Sequence, residues 1–320
     1  MDTTVPATRQ ASGYVLVAFI ATVFWSTTAI FIRHLTEQQL PPLVLAFWRD
    51  LLVTLAMVAA LAIVQPKLLR VPGRHIPFFV LYGFVLMAFN GAWTISVDLN
   101  GAAVSTVLAY SSPAITAILA WLLWRESLGW VKIASVLLSL GGCVLVSGAY
   151  DLTVWQLNSA GVIVGVASGV LFAVYNICGK ESARRGVNSW SALMLTFGVA
   201  SVFLLIVLHV PLPVVSDFGH GADLLHLGSN WAGWGVLLLL AWGPTLAGYG
   251  LYTLSLSSLP ASVASLIASL EPALTAALAF VLLGERLTVP QLIGSTMIIF
   301  GVVLLQWESA AAARRTPQVK

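Results

Sequence analysis

The amino-acid sequence predicts an all-α integral membrane protein, with ten transmembrane helices arranged as two inverted five-helix repeats. Of its 320 residues, 59% are hydrophobic and only 8% are charged, and the mean hydropathy is +0.95. So little polar surface cannot cover a water-soluble globule of this size. The apolar residues form runs long enough to cross a bilayer, and two stretches of sequence repeat each other in the two halves of the chain.

The apolar runs have the length that the hydrocarbon core of a bilayer requires, about 20 residues each. Short turns such as SVDLNG and SLSSLP separate neighbouring runs that are otherwise almost continuous. The polar start, MDTTVPATRQ, leads into a full-length run rather than a cleavable signal peptide, so we expect the first helix to be retained. The ten predicted spans are 13–32, 43–64, 76–97, 102–124, 130–149, 158–179, 189–209, 231–254, 261–283 and 288–307.

The basic residues predict the orientation. If the N-terminus is cytoplasmic, the inner loops and tails carry 12 of the 15 Lys and Arg residues. The outer loops then carry only Arg33 and Arg286, and Arg49 lies within the second span. An excess of basic residues in cytoplasmic loops is the usual determinant of orientation, so we expect both termini to be cytoplasmic.

Two stretches of the chain share a pattern at a separation of 159 positions. AYSSPAITAILAWLLWRESL (109–128) aligns with ASLEPALTAALAFVLLGERL (268–287), which pairs Pro113 with Pro272. Leucine-rich helices match by chance, but shared Pro, Glu and Gly residues are harder to dismiss. We therefore predict that the two halves of the chain are copies of one unit.

The predicted copies cover residues 1–153 and 154–320. Because five spans per copy is an odd number, the second copy must enter the membrane in the opposite orientation. Inverted repeats recur in secondary transporters, in which two equivalent halves rock around a central site. Pro113 and Pro272 both fall about 16 Å into the membrane from the start of their spans, so we expect them to meet near the midplane.

The two prolines allow two interpretations of the helices that contain them. Each removes a helical N–H donor and crowds the carbonyl group four residues earlier, that of Ala109 or Ala268. The helix then either forms a hinge whose freed carbonyl oxygens face a cavity, or it contains an inert kink that its neighbours tolerate. We predict the hinge because the prolines are related by the repeat.

Three features of the sequence resemble those of the drug/metabolite transporter superfamily, in particular its ten-helix EamA-type exporters. They are FWSTTAIFIR (24–33), Arg49 in the second span and, above all, LEPALTAALAFVLLGERLTVPQLIGSTMIIFGVVL (270–304). The resemblance covers essentially the whole chain and implies an exporter in a bacterial cell inner membrane. WST followed by IR is also similar to the bacterial aromatic amino acid exporters, which lack the Arg49-Asp50 pair.

Polar groups in hydrocarbon are costly unless they face a cavity or a partner, so mid-span polar and aromatic residues map the expected pathway. Two helical stripes stand out: Tyr82, Asn90 and Trp93 in the third span, and Trp242, Thr245, Tyr249 and Tyr252 in the eighth. The predicted substrate-binding residues are Trp25, Tyr82, Asn90, Trp93, Tyr110, Ser111, Tyr175, Asn176, Trp242, Tyr249 and Glu271, and the predicted hinges are Pro113 and Pro272.

The charged mid-span residues leave alternatives open. Glu271 is the only carboxylate expected near the midplane; it is protonated and silent, exchanges a proton during transport, or receives a substrate ammonium group. Arg49 and Asp50 point about 100° apart on a helix, so Asp50 is expected to pair with a neighbouring helix. We favour a structural charge pair here over a substrate clamp.

Other classes of function have little support in the sequence. There is no phosphate-binding G-x-x-x-x-G-K-[ST] motif, no metal-ligand spacing and no nucleophile–base pair for an intramembrane enzyme, and Cys143 and Cys178 fit small apolar helix residues. We expect no cofactor, no metal and no nucleic-acid partner.

With so few charged residues deep in the membrane, the expected cargo is a small neutral or zwitterionic solute, such as a hydrophobic or aromatic amino acid. Other small metabolites, organic cations and nucleosides are the alternatives. The oligomeric state is open and is compatible with a monomer in the lipid bilayer.

Overall fold

The structure, a computed structural model, describes residues 7–124, 129–148, 150–210, 216–256, 267–268 and 270–315. Throughout these ranges the regular elements are helical. Seven helices are long and apolar enough to cross a membrane, and three shorter apolar helices cover Trp130–Val146, Glu271–Leu283 and Val289–Leu304. Nine of the predicted spans coincide with these helices; the ninth, 261–283, does so over 271–283, and residues 261–266 and 269 lie outside the described residues. The prediction of an all-α, multi-span membrane protein is therefore confirmed.

Twelve α-helices build the described chain. The first six are α1 (Ala7–Glu37), α2 (Pro42–Val64), α3 (Ile76–Asn100), α4 (Ala102–Ala109), α5 (Ser112–Trp124) and α6 (Trp130–Ser147). The other six are α7 (Leu152–Arg184), α8 (Ser189–His209), α9 (Trp231–Leu240), α10 (Gly248–Leu256), α11 (Glu271–Leu278) and α12 (Val289–Arg315). The π-helical segments Ala241–Ala247 and Ala279–Leu283 continue α9 and α11.

Local sequence signals explain where several helices begin. Pro42 stands in the first turn of α2, where its missing N–H group costs nothing. The side chains of Asp151 and Asn188 accept hydrogen bonds from backbone N–H groups and cap α7 and α8. The hydrogen bonds from Thr153 also hold the pKa of Asp151 below its usual range. The predicted boundary between the halves falls in the first turn of α7.

Glycine residues allow α6 and α12 to approach closely. A Cβ atom on Gly142 would lie 2.6 Å from the carbonyl oxygen of Gly294, and one on Gly294 would lie 2.6 Å from that of Gly142. A Cβ atom on Gly301 would lie 2.9 Å from the carbonyl oxygen of Ser135. Small residues at a helix interface bring backbones together and so maximise van der Waals contact in a membrane. These two helices therefore form a tight pair at one side of the protein.

Helices from both halves of the chain pack around the centre of the protein. Helix α3 packs against α7 and α8, while α1 packs against α10 and α11. Large side chains that are almost completely buried, such as Phe79 and Leu86 of α3, fix these contacts. The remaining space between α1, α3, α7 and α10 is the central cavity described next.

Candidate functional site

A cavity of about 330 Å³ lies at the centre of the described helices. This volume is at the lower end of the range for small-molecule sites, so the cavity suits a small solute. Most of its surface is apolar, with polar groups at separate points. The polar and charged residues along it are Thr28, Arg49, Asn90, Thr106, Ser112, Asn176, Thr245 and Glu271.

Aromatic rings form two walls of this cavity. One wall comprises Trp25 of α1 with Tyr249 and Tyr252 of α10, and the other comprises Phe89 and Trp93 of α3 with Phe172 and Tyr175 of α7. The ring centroids of Trp25 and Tyr252 are 4.8 Å apart, and those of Phe89 and Phe172 are 4.7 Å apart. Rings that support one another in this way present a rigid apolar surface to a ligand.

Arg49 and Asp50 are buried in α2, with 2% and 0% of their surface exposed. Asn90 of α3 donates through Nδ2 to both carboxylate oxygens of Asp50, at 2.9 Å each. Arg49 reaches Asp50 only through Nε, at 3.4 Å. Asp50 therefore bonds mainly to a neighbouring helix, as the sequence predicts, and its contact with Arg49 is long.

Some donors at the cavity have no hydrogen-bond partner within the described chain. They are Nη2 of Arg49 and the indole Nε1 atoms of Trp25 and Trp93. All three atoms are buried, and their residues line the cavity. The guanidinium group of Arg49 also lies 5.9 Å from the ring centroid of Trp93. Buried donors are costly when unpaired, so the described chain offers these three donors too few acceptors.

The fourth and ninth spans are both interrupted where they reach the cavity. Helix α4 ends at Ala109 and α5 begins at Ser112, immediately before Pro113, whose side chain lies outside the described residues. In the ninth span, Leu270 precedes α11, and Pro272 is buried in its first turn. In each span, a helix thus begins at the residue before the proline.

Tyr110 links the two interrupted spans. Its hydroxyl group lies 2.6 Å from Oε2 of Glu271 and 3.0 Å from the carbonyl oxygen of Ala268. Ala268 stands four residues before Pro272, so its carbonyl oxygen has no helical N–H group to accept from. A side chain of the fourth span thus bonds the carbonyl group that the proline leaves free.

The structure gathers most of the predicted substrate-binding residues around the cavity. Those that line it are Trp25, Asn90, Trp93, Tyr110, Tyr175, Asn176, Tyr249 and Glu271. Tyr82, Ser111 and Trp242 lie elsewhere. Tyr82 lines a second cavity of about 190 Å³, between the end of α7 and the start of α8, which shares Tyr175 and Tyr249 with the first.

Backbone irregularities explain the positions of Ser111 and Trp242. Ser111 lies in the break between α4 and α5, where its hydroxyl group donates to the carbonyl oxygen of Leu108, 2.7 Å away, and Ser112 lines the cavity instead. Trp242 is 50% exposed and donates through Nε1 to the carbonyl oxygen of Leu52. It lies in a π-helical segment, whose wider turns rotate it away from the face that carries Tyr249.

Pro244 explains the π-helical segment. The proline has no N–H group to donate to the carbonyl oxygen of Leu240, and the hydroxyl group of Thr245 donates to that oxygen instead, at 3.0 Å. A regular helical period therefore does not apply between Trp242 and Tyr249. The prediction that both share one helix face is wrong for this reason.

Sequence reasoning missed some residues of the cavity. Phe172 precedes Tyr175 by one turn and aligns with Trp25 at a separation of 147 positions, so the repeat could have indicated it. Phe197 of α8 also lines the cavity, from a span that carries none of the predicted site residues. Only the tertiary structure indicates that Phe197 is there.

The sequence also matches a known family. A sequence model of the EamA-like transporter family matches residues 12–148 and again residues 159–307, which together make up most of the chain. The chain belongs to the EamA-like transporter family. The predicted resemblance is confirmed, and this member of the family is a multi-pass membrane transporter.

Relatives from several bacteria match almost the whole chain. An uncharacterized transporter of Bacillus subtilis, YwfM, is 26% identical, and the match covers 91% of this chain and 93% of that protein. An uncharacterized inner membrane transporter of Salmonella typhimurium, YicL, is 26% identical over 92% of this chain and 95% of the relative. A probable amino-acid metabolite efflux pump of the same species is 28% identical over 90% and 92%.

A solved crystal structure has the same fold. Its TM-score is 0.60 at 21% sequence identity, and the match covers 95% of this chain and 99% of that one. At this identity the likeness concerns the fold alone.

Proposed function

We propose that this member of the family exports small neutral or zwitterionic solutes, amino acids in particular, across a bacterial inner membrane by alternating access. One observation carries the proposal: a small cavity with aromatic walls contains one buried guanidinium group and one carboxyl group, on different helices. A free amino acid carries one group of each sign, which the two can meet separately. A multiply charged solute would need several cations at depth, whereas Arg49 is the cation among the described lining residues.

The aromatic walls favour an apolar side chain on the substrate. Trp25 and Tyr252 on one side, and Phe89 and Phe172 on the other, offer flat surfaces to a hydrophobic or aromatic group. The amino-acid metabolite efflux pump among the relatives points to the same class of cargo and to outward transport. The proposal needs no cofactor and no nucleic-acid partner.

Several symmetric features support two inverted repeats at 1–153 and 154–320. The family model matches the chain twice, once in each half. Helix α1 packs against α10 in the second half as α7 packs against α3 in the first. Residues that the repeat pairs stand in different walls, such as Trp25 with Phe172 and Trp93 with Tyr252. Two halves in such an arrangement can exchange an inward-open for an outward-open cavity.

The distribution of Lys and Arg supports cytoplasmic termini. In that orientation the loop between α7 and α8 is cytoplasmic, and the second cavity, which contains Tyr82, lies between the central cavity and the cytoplasm. At the outer face, the carboxylate of Glu285 accepts hydrogen bonds from the backbone N–H groups of Ala102 and Ala103, at 2.9 and 3.1 Å. Arg33 donates to the carbonyl oxygen of Asp98 at the same face. These bonds favour a transporter that is closed towards the outside.

The experiment that tests the proposal is uptake by proteoliposomes of a panel of labelled amino acids, nucleosides and organic cations. Flux of neutral amino acids, with aromatic and large aliphatic ones carried best, is the expected result. Flux of organic cations or nucleosides without any amino acid flux would contradict the proposal. Empty liposomes, and liposomes that contain an unrelated membrane protein, serve as controls.

A further inference from the structure

We propose that Arg49 and the neighbouring Trp93 form the binding site for the carboxylate group of the substrate. The inference rests on the proposed function and goes beyond it, because it assigns one chemical group of the substrate to one side of the cavity. The sequence favours a structural role for Arg49, and the structure gives a reason to revise that view.

The first step concerns the charge of Arg49. Both carboxylate oxygens of Asp50 accept from Asn90 at 2.9 Å, whereas Arg49 reaches Asp50 only by the 3.4 Å contact of its Nε atom. Hydrogen bonds to a charged group are normally shorter than this. The guanidinium group therefore keeps donor capacity on its Nη2 side, which faces no described partner.

The second step concerns the chemistry of the unpartnered atoms. A guanidinium group and an indole N–H group can only donate hydrogen bonds. A ligand group that binds Arg49 and Trp93 directly must therefore be an acceptor. A carboxylate has two oxygens with about four lone-pair positions and forms charge-assisted hydrogen bonds with a guanidinium group. A neutral carbonyl or hydroxyl group would form weaker bonds there.

The third step concerns the acceptor groups of the cavity. Arg49 and Trp93 stand on α2 and α3, whereas Glu271 stands on α11 and Tyr110 in the fourth span. The cavity thus presents donors from one pair of helices and acceptor oxygens from other elements. An amino acid would place its carboxylate group against the donors and its ammonium group against the acceptors.

The test compares the binding of phenylalanine, phenylalanine amide and phenethylamine to the purified full-length protein. The amide keeps the ring and the ammonium group but replaces the carboxylate with a neutral group. We expect phenylalanine to bind at least about tenfold more tightly than its amide, which is what one charge-assisted hydrogen bond supplies. In Arg49→Gln this preference should fall close to unity, through weaker binding of the acid.

Further variants guard against misfolding. Arg49→Gln combined with Asp50→Asn removes both buried charges together, so it avoids an unpaired Asp50. Trp93→Phe keeps an aromatic ring and removes only the N–H donor; it should lower the acid preference by about threefold to tenfold. Trp242→Phe makes the same change outside the cavity and should leave the preference unaltered.

The outcomes separate this inference from the proposed function. If the wild type binds and transports phenylalanine but the preference is unchanged in every cavity variant, the carboxylate site is wrong and the function stands. If the wild type handles no amino acid, the proposed function is wrong. The carboxylate site is then decided by the same variants with indole-3-acetate and indole-3-acetamide. An equal affinity of the wild type for that acid and its amide would overturn it.

Discussion

The hydroxyl group of Tyr110 lies 2.6 Å from Oε2 of Glu271 and 3.0 Å from the carbonyl oxygen of Ala268, so one side chain joins the two interrupted spans. The phenol has a single hydrogen. When Glu271 is ionised, its carboxylate accepts the hydrogen bond from the phenol, and the carbonyl group of Ala268 loses its donor. When Glu271 is protonated, it donates to the phenol oxygen, the phenol donates to Ala268, and all three groups are paired. The link between the spans therefore depends on the protonation of Glu271.

The first prediction is that Glu271→Gln abolishes the pH dependence of transport. The glutamine amide can donate to the phenol oxygen of Tyr110 at any pH, so it imitates the protonated state permanently. Flux through wild-type proteoliposomes should vary with pH between acidic and alkaline buffers, while flux through the variant should be lower and nearly constant. Initial rates of substrate uptake at a series of pH values provide the measurement.

Two further variants make this result specific. Glu37→Gln makes the same chemical change at the exposed end of α1 and should keep the wild-type pH profile. Tyr110→Phe removes the link but retains the carboxyl group, so it should lower flux at every pH. An identical pH profile for the wild type and Glu271→Gln would exclude Glu271 from the mechanism.

The second prediction concerns the tight contact between α6 and α12. In Gly142→Ala or Gly294→Ala the new Cβ atom would lie 2.6 Å from a backbone oxygen of the other helix, so the helices must separate. Overpacking of this kind costs about 1–3 kcal/mol. Thermal unfolding of the detergent-solubilised protein should show a lower midpoint for both variants.

The matched control for these variants is Gly235→Ala in α9. A Cβ atom there meets no atom within 4 Å, and alanine is the better helix former by about 1 kcal/mol. Its unfolding midpoint should be equal to or above that of the wild type. Equal midpoints for Gly142→Ala and Gly235→Ala would show that α6 and α12 are not in close contact.

The third prediction concerns Glu285, whose carboxylate caps the N-terminus of α4. Glu285→Ala removes two charge-assisted hydrogen bonds to Ala102 and Ala103 and a favourable interaction with the helix dipole. The loss of such a cap costs about 1–2 kcal/mol. The variant should unfold at a lower temperature than the wild type, and Glu285→Gln, which can still accept, should fall between the two. An unaltered midpoint in Glu285→Ala would contradict the cap.

The sequence predicts some levels of this structure better than others. Length and hydropathy predict the spans, because the bilayer itself imposes these constraints on the chain. Pro113 and Pro272 indicate where α5 and α11 begin, because a missing N–H group is tolerated in the first turn of a helix. Trp242 shows the limit of periodicity, since one π-helical segment around Pro244 rotates it out of the cavity.

Partners across helices are also beyond a single sequence. The sequence indicates that Asp50 bonds outside its own helix. Only the folded chain shows that Asn90 donates to both carboxylate oxygens of Asp50, so that Arg49 makes a single long contact with it. Tyr110 and Glu271 were each predicted to line the site. Their contact could not be predicted, because it depends on how two broken helices are offset. The same holds for Phe197, which reaches the cavity only through the position of α8.

The last prediction tests the inverted arrangement of the halves. In a background in which Cys143 and Cys178 are replaced by alanine, single cysteines at Arg74 and His220 would lie in exposed loops on opposite sides of the membrane. With cytoplasmic termini, a membrane-impermeant maleimide added to intact cells should label position 220 and leave position 74 unlabelled. Both positions should react after the membrane is permeabilised, which shows that both cysteines are accessible. Labelling of position 74 alone would reverse the orientation, and labelling of both in intact cells would contradict the number of spans between them. The α2–α3 loop of the first half is equivalent to the α8–α9 loop of the second. If they lie on opposite sides, an odd number of membrane crossings separates them, as an inverted repeat requires.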